Sequence, residues 1–172
     1  MNKRALSVAS GVLIAILVFS TAFASGIKLS SVTFSLGSLI SSGGVTGLGN
    51  TDVTLVLNAS GIPAVTCTNG GGNQVPGQSS PKVSAQGSTT LIPNTSLTKN
   101  GSTPYYVETG ALPSLTWQQG GCPNSNWSAA ITFVYWTNAT ITIYDALTGA
   151  LLLTQNYVCT TTLTSVSCTP TK

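Results

Sequence analysis

The chain has 172 residues, of which six are Lys or Arg and three are Asp or Glu; it has no histidine, and its formal net charge is +3. Without histidine, Ser-His-Asp and Cys-His catalytic arrangements are excluded. With 48 serines and threonines and 5% charged residues, its polarity is hydroxyl and amide, which suits the wet face of β-strands.

Residues 1–24 read as a secretion signal. Lys3 and Arg4 form a positive start, residues 11–19 are mostly apolar, and Ala22-Phe23-Ala24 offers small residues where a signal peptidase cuts. A retained anchor would need about 20 continuous apolar residues, and Ser7, Ser10, Ser20 and Thr21 interrupt this stretch. Cleavage after Ala24 leaves residues 25–172 as one secreted domain, with no cysteine at the new N-terminus to carry a lipid and no further hydrophobic span. That portion has four lysines and three acids, a net charge of +1, which argues against nucleic acid or an anionic membrane as partner.

Beyond the leader the periodicity is that of strands. Short candidates fall at residues 32–36, 64–68, 82–86, 105–109 and 114–118. Val53, Leu55, Leu57 and Ala59 alternate with Asp52, Thr54, Val56 and Asn58. Over residues 127–136, Trp127, Ala129, Ile131, Phe133 and Tyr135 share one apolar face and Val134 and Trp136 the other. Ala139, Ile141 and Ile143 then alternate with Thr140, Thr142 and Tyr144. The run Asp145-Ala146-Leu147-Thr148-Gly149 reads as a hairpin loop ending in a left-handed glycine, and residues 151–158 return. Eight to ten short strands between Gly, Pro and Asn clusters predict an all-β chain, an antiparallel β-sandwich of Greek-key, immunoglobulin-like type.

Four cysteines in an exported chain suggest two disulfides, with three pairings possible. Cys67–Cys122 and Cys159–Cys168 are favoured because the members of each pair sit in similar loop-edge contexts. The loop-entropy model gives about 4.2 and about 2.7 kcal/mol for them. The scattered spacing, without a CxxC pair, argues against zinc. Joining Cys67 to Cys122 would bring the Gly- and Asn-rich loops at residues 69–78 and 118–126 to one end of the sandwich, where a rigid scaffold can display binding groups.

The strings Thr66-Cys67-Thr68-Asn69, Gly71-Gly72-Asn73, Pro76-Gly77-Gln78, Gly121-Cys122-Pro123-Asn124 and Asn126-Trp127 resemble those of small exported bacterial proteins. The resemblance covers most of the chain after the leader. It implies export and a disulfide-containing β domain and brings no catalytic or ligand-binding residue with it.

Few catalytic options remain. Asp52, Glu108 and Asp145 would have to converge to make a secreted hydrolase, the weakest reading. Ser-x-x-Lys occurs at Ser25, Ser79 and Ser96, without a Lys-Thr-Gly or Ser-Asp-Asn element, in a chain where serine is common. Residues 70–72 lack the ending of a phosphate-binding loop, and no acids cluster to hold calcium. No metal or cofactor is expected. The leading expectation is a noncatalytic structural or adhesive surface protein, self-associating or meeting another surface protein through strand edges. The alternative is a carbohydrate-binding module for a neutral polysaccharide, using aromatic faces and amide-rich loops. Its candidate ligand-binding residues are Trp136 and Tyr144, out of phase with their strand's core, with Trp117, Asn73, Gln78 and Asn124. Five Asn-x-Ser/Thr sequons, at Asn58, Asn94, Asn100, Asn126 and Asn138, matter only in a host that glycosylates them.

Overall fold

A computed structural model describes residues 26–78, 80–93 and 101–171. The expected leader, and the sequons at Asn94 and Asn100, lie outside the described residues. Nine strands occur among those described: β1 (Lys28–Ser35), β2 (Ile40–Thr46), β3 (Val53–Asn69), β4 (Gln74–Pro76), β5 (Val83–Leu91), β6 (Ser102–Glu108), β7 (Trp127–Asp145), β8 (Leu151–Thr161) and β9 (Val166–Pro170). They form two antiparallel sheets. The smaller has the order β1-β2-β6; the larger runs β4-β3-β7-β8-β9, with β5 on the same side of β3 as β4. Leaving out the short β4, the first, second and fifth strands face the fourth, third, sixth, seventh and eighth. That is the strand order of an immunoglobulin-like sandwich whose fourth strand has moved beside the third.

The backbone of the larger sheet is the β3–β7 pair. In β3 every odd-numbered residue from Val53 to Cys67 is buried, an unbroken period of two. The alternation at residues 53–59 and the short candidate at residues 64–68 are one strand, which runs through Gly61 and Pro63. Pro63 lies past the stretch paired with β5 and before the stretch paired with β4, where β3 has one neighbour and a missing N–H is tolerated. Gly61 lies opposite Trp136, and a Cβ there would stand 2.7 Å from Val134 Cγ1 and 2.9 Å from the Trp136 Cα.

In β7 the period is interrupted twice. Pairing skips Thr137, between Asn138 and Trp136, and skips Thr132, between Phe133 and Ile131. Each extra residue is a β-bulge, and each flips the phase of the residues beyond it. The core side therefore takes Ala129 and Ile131, then Val134 and Trp136, then Ala139, Ile141 and Ile143. This corrects the expectation that Trp136 faces outward: it is 1% exposed and among the largest fully buried side chains, while Tyr135, expected in the core, is 38% exposed. The strand expected over residues 114–118 is instead part of the irregular segment between β6 and β7.

The core lies between the sheets. Leu39, Val45 and Val107 on the small-sheet side meet Leu55, Leu57, Trp136, Ile141 and Ile143 from the larger one, and Phe34 stands edge-on to Tyr157 at 5.0 Å. Farther along the β3–β7 ribbon the covering layer changes. Val65, Cys67 and Cys122 form a second cluster with Leu115, Trp117, Trp127, Ala129 and Ile131. Both expected disulfides are formed: Cys67–Cys122 pins the segment before β7 to β3, and Cys159–Cys168 clasps directly opposed residues of β8 and β9.

Two buried tyrosines set an alkaline limit on stability. Burial, and then the neighbouring Tyr105, pushes Tyr157 up to about 12; burial also raises Tyr105, opposed by its 3.2 Å hydrogen bond with Ser41. A phenol whose pKa is raised by folding contributes stability that is complete below its unfolded value of 10.0 and lost as pH climbs toward 12. Urea midpoints should therefore be level between pH 6 and 9, the chain having no histidine, and fall above 10. The Tyr157→Phe variant should fall less steeply; an equally steep fall would show that another group controls alkaline unfolding.

Candidate functional site

The two loops expected to meet do so. Gln78 N donates to the Gly121 carbonyl at 3.2 Å and Gly77 N to the Val65 carbonyl at 2.8 Å. A Cβ on Gly77 would run into the Gly120 carbonyl, so the close approach requires glycine. Asn73, Gln78 and Asn124 are all exposed there, but much of the local polarity is turned inward. The Asn69 Oδ1 accepts the amides of Gly71 and Asn73 at 3.0 and 2.9 Å, and the Asn124 Oδ1 accepts that of Asn126 at 3.0 Å. Trp117 is half-buried and packs against the second cluster beside the disulfide. Tyr144 is on the outer face of the larger sheet as expected, half-buried opposite Thr54 at one end. The fold does not gather Trp136, Tyr144, Trp117 and the loop amides into one site.

It assembles a different one, on the outer face of the larger sheet. Even-numbered residues of β3 point away from the core and are matched across β7 and β5 in register. One row reads Gln86–Asn58–Thr140 and continues to Asn156 of β8; the next outward row reads Ser84–Ser60–Asn138 and continues to Val158. Between them the backbone of Ala85, Ala59 and Ala139 forms the floor of an open depression of about 400 Å³. Two residues along a strand are about 7 Å and neighbouring strands about 4.8 Å apart. The rows thus wall a groove that crosses the strands and spans about 10 Å from β5 to β7.

The chemistry of the walls is neutral throughout. Among the described residues the Asn58 and Gln86 amides and the Ser60 and Ser84 hydroxyls make no side-chain hydrogen bond. The Asn138 Oδ1 accepts the Thr137 hydroxyl at 3.0 Å and the Asn156 Oδ1 the Thr140 hydroxyl at 2.9 Å, leaving both amide NH2 groups without an internal partner among the described residues. Immediately beyond the Ser60–Asn138 row is an apolar step. Ile62, 48% exposed, is the cross-strand partner of Tyr135, and Phe133 meets Tyr135 edge-on at 5.0 Å. The two bulges enclose Phe133 and Tyr135 and are what turn them outward. No outward strand residue of this sheet is charged among the described residues.

The groove residues were missed although two of them stood out in sequence. Asn58-Ala59-Ser60 and Asn138-Ala139-Thr140 are the same sequon pattern, and in the fold they are antiparallel partners centred on Ala59 opposite Ala139. Each wall thereby receives one amide and one hydroxyl from the pair. The repetition was visible; the register that brings the copies together was not.

The acids do not form a comparable site. Val53 pairs with Asp145, and Ala146 N donates to the Asp52 carbonyl at 2.9 Å, so Asp52 and Asp145 share one end of the sheet. The Asp145 carboxylate accepts the Thr148 and Leu147 amides at 2.7 and 3.0 Å, and the hydrogen bonds from Thr148 chiefly hold it below the usual carboxylate range. A general acid requires the opposite displacement. Glu108 is on β6 opposite Ile40, in the other sheet.

No family model matches the chain, and no curated protein and no solved structure matches it.

Proposed function

We propose that this chain is a noncatalytic, exported β-sandwich that acts at or beyond the cell surface as an adhesive or binding module, making contact through the outer face of its larger sheet. The observation that carries this reading is the uncharged outer face, polar by hydroxyl and amide alone, with Ile62, Phe133 and Tyr135 exposed or half-exposed in its middle. A solvent-facing sheet kept soluble without Lys or Glu offers short-range hydrogen bonds and apolar contact, and little long-range steering. Export is supported by the leader pattern and by two disulfides, which persist in oxidising compartments. Among the described residues no helix is long and apolar enough to cross a membrane.

Co-sedimentation of the purified protein with isolated cell envelopes and insoluble polysaccharides tests the reading. Retention should be the same at low salt and at about 0.5 M salt, where the Debye length is only a few ångströms. Failure to pellet with any of these matrices, or release by salt, would overturn it.

A further inference from the structure

We infer that the groove between the Gln86–Asn58–Thr140 and Ser84–Ser60–Asn138 rows is a subsite for a neutral glycan chain lying across the strands, with Tyr135 and Ile62 as the apolar step beside it. This rests on the contact function proposed above and gives that contact a ligand class and a location. Three features of the groove agree on the ligand. Its walls hold only amides and hydroxyls, groups that both donate and accept and so match vicinal hydroxyls of a sugar. The side chains of Asn58, Gln86, Ser60 and Ser84 have no partner within the described structure, so engaging a ligand breaks no internal bond. No strand residue of the face is charged among the described residues, the exposed Lys82 lying one residue before β5, so the groove itself gives an anionic or cationic polymer no charge to pair with.

The shape selects a chain over a compact molecule. The depression is open and lies within the volume range of small-ligand sites, and beyond its β7 end the Asn58–Thr140 row carries on to Asn156 on β8. An extended polymer can occupy the whole length, whereas a single sugar would meet one end. The apolar C–H face of a sugar ring fits against Tyr135, whose position is fixed by the Phe133 edge contact and the flanking bulges. Because each hydrogen bond displaces one to water, individual contacts contribute little. Affinity for a short oligomer is accordingly weak, and strong attachment comes from many copies meeting a repeating polymer.

The test is an NMR titration of isotopically labelled protein with soluble neutral oligomers: a β-linked glucan, a mannan, a xylan and a chitin fragment. At least one should shift the side-chain amide signals of Asn58, Gln86 and Asn138 together with backbone signals of β3, β5 and β7. Asn58→Ala combined with Gln86→Ala should weaken that binding about tenfold or more. Tyr106→Ala, on the other sheet, should bind as wild type and report that the fold is intact. Absence of shifts with all four oligomers, shifts confined to other surfaces, or undiminished binding by the double variant would overturn the inference. Concentration-dependent shifts of the same amides without glycan would also overturn it, by assigning the groove to a second copy of the chain. A protein that pellets with envelopes yet shows no groove shifts loses only the inference; one that does neither loses both readings.

Discussion

Trp136→Ala should cost about 3–5 kcal/mol, the range for truncating a large buried aromatic, and Tyr135→Ala, one residue earlier on the same strand, about 1 kcal/mol or less. Trp136 is 1% exposed at the centre of the inter-sheet core, and Gly61 lies against its backbone across the strand, so collapse into the vacated space is restricted. Its indole Nε1 has no hydrogen-bond partner among the described residues, so the side chain is retained for volume and apolar contact against a polar cost. Trp136→Phe removes that unpartnered N–H and should cost less than Trp136→Ala. Chemical denaturation of the three variants checks the phase of β7 between its bulges. Equal losses at positions 135 and 136, or a larger loss at 135, would mean that the bulges are misplaced and that Tyr135 is core.

The second large effect concerns the end of the ribbon. Replacing both Cys67 and Cys122 by alanine should lower stability by about 4 kcal/mol on the loop-entropy model, because the bridge closes a 55-residue separation. For a domain of this size that is about 10 °C or more in Tm. Replacing Cys159 and Cys168, nine residues apart, should cost about 2.7 kcal/mol and act on the β8–β9 hairpin alone. The two losses also differ in kind. Cys67–Cys122 holds the segment before β7, which carries Trp117, over Val65, Trp127 and Ile131, so its removal should expose Trp117 and Trp127 further to water, with Trp136 still shielded. Tryptophan fluorescence should shift to the red below the global unfolding transition. An unshifted spectrum would show that apolar packing alone keeps that segment in place.

The parts of the fold legible in the sequence are those whose signal is local. Unbroken alternation over residues 53–59 and 139–144 marks strand faces correctly. Asp145 and Gly149 form the expected turn, with Gly149 at a φ of 71°. Similar loop-edge contexts pointed to the observed cysteine pairs, and the two-sheet all-β class comes from strand number and punctuation. The features that failed are those that depend on a partner strand. Thr132 and Thr137 look like ordinary strand residues; only the pairing with β3 shows that each is extra, and each extra residue inverts the faces beyond it. That inversion moved Trp136 into the core and Phe133 and Tyr135 out. Residues 53–59 and 64–68 stand as separate candidates in the sequence, with Gly61 and Pro63 between them, whereas the continuity of β3 comes from 17 residues of pairing with β7. The β2 sequence ISSGGVT has too few apolar residues to announce a strand, yet it lies between β1 and β6, paired on both sides. The groove was illegible for the same reason: its walls are built from three strands distant in sequence, and only register aligns Gln86, Asn58 and Thr140.

If the protein makes contact through the uncharged outer face of its larger sheet, charge placed in that face should abolish the contact. Asn58→Asp combined with Asn138→Asp keeps the shape of both side chains while placing charge in each wall of the groove. The decisive experiment is co-sedimentation of this variant beside wild type, with thermal unfolding as the check on folding. Wild type should be retained on at least one envelope or polysaccharide matrix, and the charged variant should lose most of that retention at a Tm unchanged within a few degrees. Undiminished retention of a folded, doubly charged variant would contradict the proposed contact and place the binding surface elsewhere.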